Sequence, residues 1–263
     1  MENAEQYLKE YYGGHDEDAR LRTKHGYVEY HTTMRFIEKY LKPGDRVLEI
    51  GAGTGRYSHA LARRGFRVDA VELVQHNIDI FRQKTRPGEH VTIVQGNAVD
   101  LGAFGDDTYD ITLLLGPMYH LFTIEDQKKA LQEAIRVTKP GGVIFAAYCG
   151  NDATIVQYCF GRGMFKEPRY RELIDLETFK ASSSFAEIFV LHRKEDIDAL
   201  MADLPVRRLH YVGTDMAANY MRDTVDAMDD EMYSLFLKYQ DAICERPDLV
   251  GASNHMLDVF QKL

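Results

Sequence analysis

The sequence predicts an α/β fold built on one doubly wound, mostly parallel sheet with helices on both faces. Three observations carry this. Short apolar runs at Val47–Ile50, Phe66–Leu73, Val91–Gln95, Tyr109–Leu115 and Val143–Tyr148 recur between stretches of helical periodicity. The first run opens onto a glycine-rich turn, Gly51-Ala52-Gly53-Thr54-Gly55, where the missing Cβ atoms let backbone approach a ligand. The chain has 263 residues, 45% of them hydrophobic, enough for one large core. Right-handed crossovers would then place every strand C-terminus of this unit on one edge.

The first strand carries Glu49 just before the turn, and a helical segment, Tyr57–Arg64, follows and offers its N-terminal N–H groups there. The dinucleotide fingerprint G-x-G-x-x-G fails, because Arg56 stands where its third glycine belongs. A phosphate loop also fails for want of its lysine. A carboxylate two residues before the first glycine repels phosphate and suits a cation. Glu49 to Gly55 resembles the first motif, [ED]-x-G-x-G-x-G, of the class I S-adenosylmethionine-dependent methyltransferases. That resemblance implies a Rossmann-like seven-stranded sheet with an antiparallel last strand. It implies S-adenosyl-L-methionine as cofactor and S-adenosyl-L-homocysteine as product, with Glu49, Gly51, Ala52, Gly53 and Gly55 around the donor. The donor's sulfonium and α-ammonium groups give Glu49 its electrostatic sense.

The second strand closes in Glu72, followed by Leu73. An acid at this place, roughly 20 residues beyond the glycines, accepts from ribose hydroxyls. The third strand runs into Gly96-Asn97-Ala98-Val99-Asp100-Leu101, similar to the family's G-[DN]-A-x-D-L. The resemblance puts Asn97 near the adenine amino group and the Ala98 N–H near a ring nitrogen; an asparagine oxygen can accept from the amine. Asp100 reads as a turn residue. The fourth strand, ending in Leu115, is apolar enough to lie centrally. A helix over Ile124–Thr138 is stopped by Lys139-Pro140-Gly141-Gly142 before the fifth strand.

Beyond strand four, Gly116-Pro117-Met118-Tyr119 lacks the [DN]-P-P-[YF] of methyltransferases acting on nucleobase or glutamine amino groups. The G-P-x-Y-H-L form is similar to bacterial small-molecule methyltransferases. His120 is the candidate base, with an ordinary pKa near ~6.5; cofactor contact or helix capping is the competing role. Residues 1–42 are expected to form a helical lid, 43–150 the donor-binding core, 151–185 a cap inserted after strand five, and 186–263 the completion of the sheet. In the lid, Tyr11, Tyr12 and Arg20 are candidates for reaching the methionine carboxylate or for closing the methyl-transfer chamber, a guanidinium being suited to bidentate binding of a carboxylate. Tyrosines on amphipathic helices also simply pack with the hydroxyl outward. His15-Asp16-Glu17-Asp18 reads as a solvated acidic turn, so no metal site is predicted. The last segment holds a helix over Lys194–Ala202, a strand over Val206–Val212, a long helix over Ala217–Arg246 and an antiparallel strand over His255–Gln261.

Composition bounds the function. Asp and Glu number 41 against 32 Lys and Arg, a net charge of −9 that argues against a nucleic-acid surface. No apolar run approaches the ~18 residues of a membrane span, and the N-terminal residues do not read as a signal peptide. The three cysteines show no metal-ligand spacing, which suits a reduced, cytoplasmic protein. The expected activity is in-line methyl transfer to a small molecule, its acceptor atom and the oligomeric state left open. The alternatives are a non-catalytic donor-binding module, against which intact Glu49, Glu72 and Asn97 count, and a nicotinamide-dependent oxidoreductase, against which the glycine spacing counts.

Overall fold

A computed structural model describes residues 6–8, 10–11, 23–183 and 189–263. Eight strands form one sheet: β1 (Arg46–Ile50), β2 (Arg67–Glu72), β3 (Val91–Gln95), β4 (Tyr109–Leu114), β5 (Thr138–Gly150), β6 (Leu191–His192), β7 (Val206–Gly213) and β8 (His255–Lys262). Their order is β3-β2-β1-β4-β5-β8-β7, with β6 beside the end of β5. Strands β1 to β5 pair in parallel, whereas β8 runs antiparallel to both β5 and β7. The reversed last strand is the feature the family resemblance implied. Helices α1 (Lys24–Tyr40), α2 (Arg56–Ala62), α3 (Gln75–Lys84) and α4 (Ile124–Val137) accompany the first half.

Side chains alternate across the central strands as the pleat requires. Leu48, Ile50, Leu114, Ile144 and Phe260 pack on one face with Leu131 and Ala134 of α4. Val47, Ile111, Leu113, Phe145 and Val259 pack on the other with Phe36 and Ile37 of α1 and Leu61 of α2. Each such fully buried side chain contributes about 1.5–3 kcal/mol. Both major helices have side-chain caps. The Thr23 hydroxyl accepts from Gly26 N at 3.1 Å, and that of Thr123 accepts from Asp126 N at 3.0 Å.

The seven-strand order is the expected one, and among the described residues a two-residue strand, Leu191–His192, adds beside Cys149–Gly150. Two expectations need correction. Lys139-Pro140-Gly141-Gly142 lies inside β5 as a bulge: Tyr109 pairs Thr138, and the next pair is Ile111 with Val143. The long helix is three: α8 (Met216–Tyr220), α9 (Arg222–Asp226) and α10 (Asp230–Ile243). Met221 leaves the helical region at φ −119°, ψ 34°, and Asp229 starts α10 by accepting from Met232 N at 2.8 Å. Between β5 and β8 lie also α5 (Asn151–Thr154), a π-helical turn at Ile155–Phe160, α6 (Pro168–Glu172) and α7 (Lys194–Met201).

Candidate functional site

The turn after β1 is fixed by its own backbone. Gly51 N and Ala52 N donate to Val71 O at 2.8 and 3.0 Å, and Gly55 N donates to Ala52 O at 2.9 Å. The three glycines have φ of +75°, +53° and +88°, a region that L side chains avoid. They differ in surroundings. A Cβ on Gly51 would meet Pro117 Cδ at 2.7 Å, and one on Gly55 would overlap the Phe81 ring, whereas one on Gly53 would meet nothing within 4 Å. Gly51 and Gly55 therefore serve close packing, and Gly53 keeps a space open above the turn.

Both predicted carboxylates face this turn. Glu72 Oε2 accepts from Gly53 N at 2.8 Å; its Oε1 accepts from Val74 N at 2.9 Å and Asn77 Nδ2 at 3.3 Å. Burial raises its pKa despite those donors. Glu49 is buried and accepts from Ser58 N at 2.8 Å and from the Ser58 hydroxyl in a short contact. Burial pushes its pKa up to about 8; the Ser58 bonds lower it, and the charge on Glu72 raises it further. Burial thus disfavours the charged form of Glu49 in this turn, and a neighbouring cation would favour it.

The remaining residues gather around one cavity of about 1230 Å³. Its wall includes Gly51, Ala52, Gly53, Glu49, Glu72, Leu73, Asn97, Ala98, Leu115 and His120. Gly55 does not line it and acts through packing. Asn97 Oδ1 accepts from Val99 N at 3.2 Å, shaping the turn after β3. Asp100 accepts from Gly102 N at 3.0 Å, the turn role expected of it. The His120 ring lies 4.8 Å from that of Tyr119 and 5.2 Å from that of Phe189, and the His120 backbone N–H donates to Pro117 O at 2.9 Å. Tyr11 lines the cavity and meets Phe189 edge-on at 6.1 Å. Tyr12 and Arg20 lie outside the described residues. Ile155, Tyr158, Met164 and Tyr170 of the 151–185 segment face the same space.

One residue was passed over as a departure from another motif. Arg56 lines the cavity, its guanidinium carbon 4.4 Å from the centre of the Tyr30 ring, and its buried Nε has no hydrogen-bond partner. Its position directly after the third glycine was the available signal. Among the described residues, no helix is long and apolar enough to cross a membrane, and the three cysteines are free.

Residues 48–146 match the family described as a methyltransferase domain. The chain is 36% identical over 102 residues to a demethylmenaquinone methyltransferase of Clavibacter sepedonicus, covering 38% of this chain and 40% of the relative. It is 35% identical over 128 residues to the cypemycin N-terminal methyltransferase of a Streptomyces species, covering 45% and 51%. The chain thus spans about half or less of these two relatives. Among solved structures, the N-methyltransferase NodS of Bradyrhizobium japonicum, in complex with S-adenosyl-L-homocysteine, has a TM-score of 0.60 at 13% identity, covering 99% of this chain and 98% of that one. This last likeness is one of fold.

Proposed function

We propose, from the premise that this chain belongs to the class I S-adenosylmethionine-dependent methyltransferases, that it transfers a methyl group to a small molecule held beside the donor. One observation carries the reading: the same cavity runs from the glycine turn, Glu72 and Asn97 to His120 and the residues of the 151–185 segment. When bound, S-adenosylmethionine supplies a methyl group activated by its sulfonium. The chain's own residues then bind, orient and exclude water. Glu72 accepts from the ribose hydroxyls, Asn97 and the Ala98 N–H read the adenine edge, and Leu73 and Leu115 flank them. Glu49 supplies negative charge once ionised. Tyr11 on one side and Ile155 and Tyr158 on the other line this chamber, where exclusion of water and alignment would provide most of the acceleration. His120 takes the proton if the acceptor is a hydroxyl or an ammonium. A reduced compartment, the cytoplasm, suits the three free cysteines.

The reading assigns Arg56 to the donor's carboxylate, a task the sequence suggested for Tyr11, Tyr12 and Arg20. A guanidinium stacked on an aromatic ring with an unused buried N–H is preorganised for a carboxylate. Arg56→Met is expected to weaken S-adenosyl-L-homocysteine by about 10- to 100-fold, the worth of a charge-assisted hydrogen bond. Binding of 5′-methylthioadenosine, which has no amino-acid portion, should be unchanged. Equal losses for both ligands would assign Arg56 to support of the turn instead.

Calorimetry with S-adenosylmethionine and S-adenosyl-L-homocysteine tests the reading as a whole, and absence of binding by either overturns it. With an acceptor in hand, His120→Ala should lower kcat by about 100-fold or more with little change in donor affinity. Full turnover in that variant removes the base role.

A further inference from the structure

Away from the glycine turn, three elements deliver polar groups to the edge of the sheet where β5 ends. Helix α1 brings Glu29, the loop after β7 brings Asp215, and the reversed strand β8 begins there with His255. All three side chains line the cavity. His255 Nδ1 lies 2.7 Å from Asp215 Oδ2 and 3.4 Å from Glu29 Oε2. One nitrogen or oxygen from each lies within 4.8 Å of the other two.

The cluster is built rather than incidental. Asp215 Oδ1 accepts from the Ser253 hydroxyl at 2.7 Å, Asn254 N at 3.0 Å and His255 N at 3.1 Å, while Asn219 Nδ2 donates to Oδ2 at 2.9 Å. These bonds fix the carboxylate so that Oδ2 faces the imidazole. Beside it stands a second, independent sign of a ligand. Asn254 is 8% exposed and lines the same cavity, and among the described residues its buried Oδ1 has no hydrogen-bond partner. A buried acceptor left unmatched is costly and calls for a cation or a donor.

We propose that Glu29, Asp215 and His255 form a binding site for a divalent first-row transition metal ion on the acceptor side of the cavity. Two carboxylate oxygens and one imidazole nitrogen suit zinc or manganese. Two carboxylates balance the charge of a divalent ion, whose binding would release to solvent the proton that His255 Nδ1 shares with Asp215 Oδ2. Ser253 and Asn219 hold Asp215 from behind, the outer support that orients a ligating carboxylate. Because all three residues line the cavity, an ion held by them would position an oxygen or nitrogen of a methyl acceptor bound there. That last use rests on the methyltransferase reading; the ion site itself does not.

Titration of the full chain with Zn²⁺, and with Co²⁺ as a spectroscopic probe, tests the site without any donor present. One equivalent should bind, with Co²⁺ giving visible ligand-field bands. Glu29→Gln and His255→Gln should each weaken the ion by at least about 10-fold, since even outer-shell changes reach that range. Binding of S-adenosyl-L-homocysteine to the same samples is followed separately, so failure of the donor reading and failure of the metal site are told apart. Absence of stoichiometric binding of either ion overturns the proposal, as does an ion that both folded variants keep unchanged. If circular dichroism shows that the variants do not fold, the wild-type Co²⁺ spectrum decides: without ligand-field bands the site is disproved.

Discussion

Gly53→Ala is expected to fold and to lose the donor, whereas Gly55→Ala loses stability itself. At Gly53 a Cβ meets nothing within 4 Å, so the cost to the fold is the left-handed backbone alone at φ +53°, about 1–2 kcal/mol. The melting temperature should fall by only ~2–8 °C. The new methyl group fills the space kept open over the turn, and S-adenosyl-L-homocysteine should bind about 100-fold more weakly, the equivalent of a ~3 kcal/mol steric conflict. At Gly55 the Cβ overlaps Phe81 and comes within 2.7 Å of His59 Cδ2, both side chains nearly fully buried. Overpacking of ~1–3 kcal/mol adds there to the backbone penalty. Thermal melts and calorimetry on the two variants separate the effects. Unaltered affinity in Gly53→Ala would show that the turn is not the donor's floor.

Glu49→Gln should remove a pH dependence that the wild type shows. The folded pKa of about 8 lies above the ordinary carboxyl value of 4.5, so the folded chain binds the proton more tightly than the unfolded one. The stability this contributes is fully present below ~4.5 and is lost as pH rises through ~8. The amount at stake is on the order of a few kcal/mol, one pKa unit being ~1.4 kcal/mol. Wild-type melting temperature should therefore decline between about pH 5 and 8 more steeply than that of Glu49→Gln, which carries no titratable group there. Donor binding should move oppositely: affinity for the cationic ligand rises with pH in the wild type as Glu49 ionises, and less so in the variant. Parallel melting curves for the two proteins would contradict a buried carboxyl titrating in this window.

The proposed donor half of the cavity was legible because its parts lie in strict order along one stretch of chain. A strand, a turn and a helix bring Glu49, Gly51 and Gly53 together by local geometry, while Glu72 ends the neighbouring parallel strand and Asn97 follows the next one by two residues. The acceptor half was not legible. Glu29, Asp215 and His255 are joined only by the packing of α1 and the reversal of β8, and no spacing in the sequence encodes that meeting. The breaks at Met221 and at the bulge in β5 were missed for a related reason. Apolar periodicity continues through Ala217–Arg246, and tertiary contacts decide where the helix ends: Arg222, the first residue after the break, reaches Tyr158 OH at 3.0 Å.

The position of β8 between β5 and β7 also has a consequence for how the chain assembles. β7 precedes β8 in sequence yet touches the sheet only through it. Until β8 inserts, β7 has no ladder, and β5 presents an unpaired apolar edge, the kind of surface that recruits other chains. Insertion buries Asp258 and pairs it with Arg208 of β7 through two hydrogen bonds, at 2.7 and 2.8 Å. The strand that starts at His255 thus acts as a keystone. Aggregation during refolding, rather than loss of equilibrium stability alone, is the expected failure of chains in which that strand is weakened.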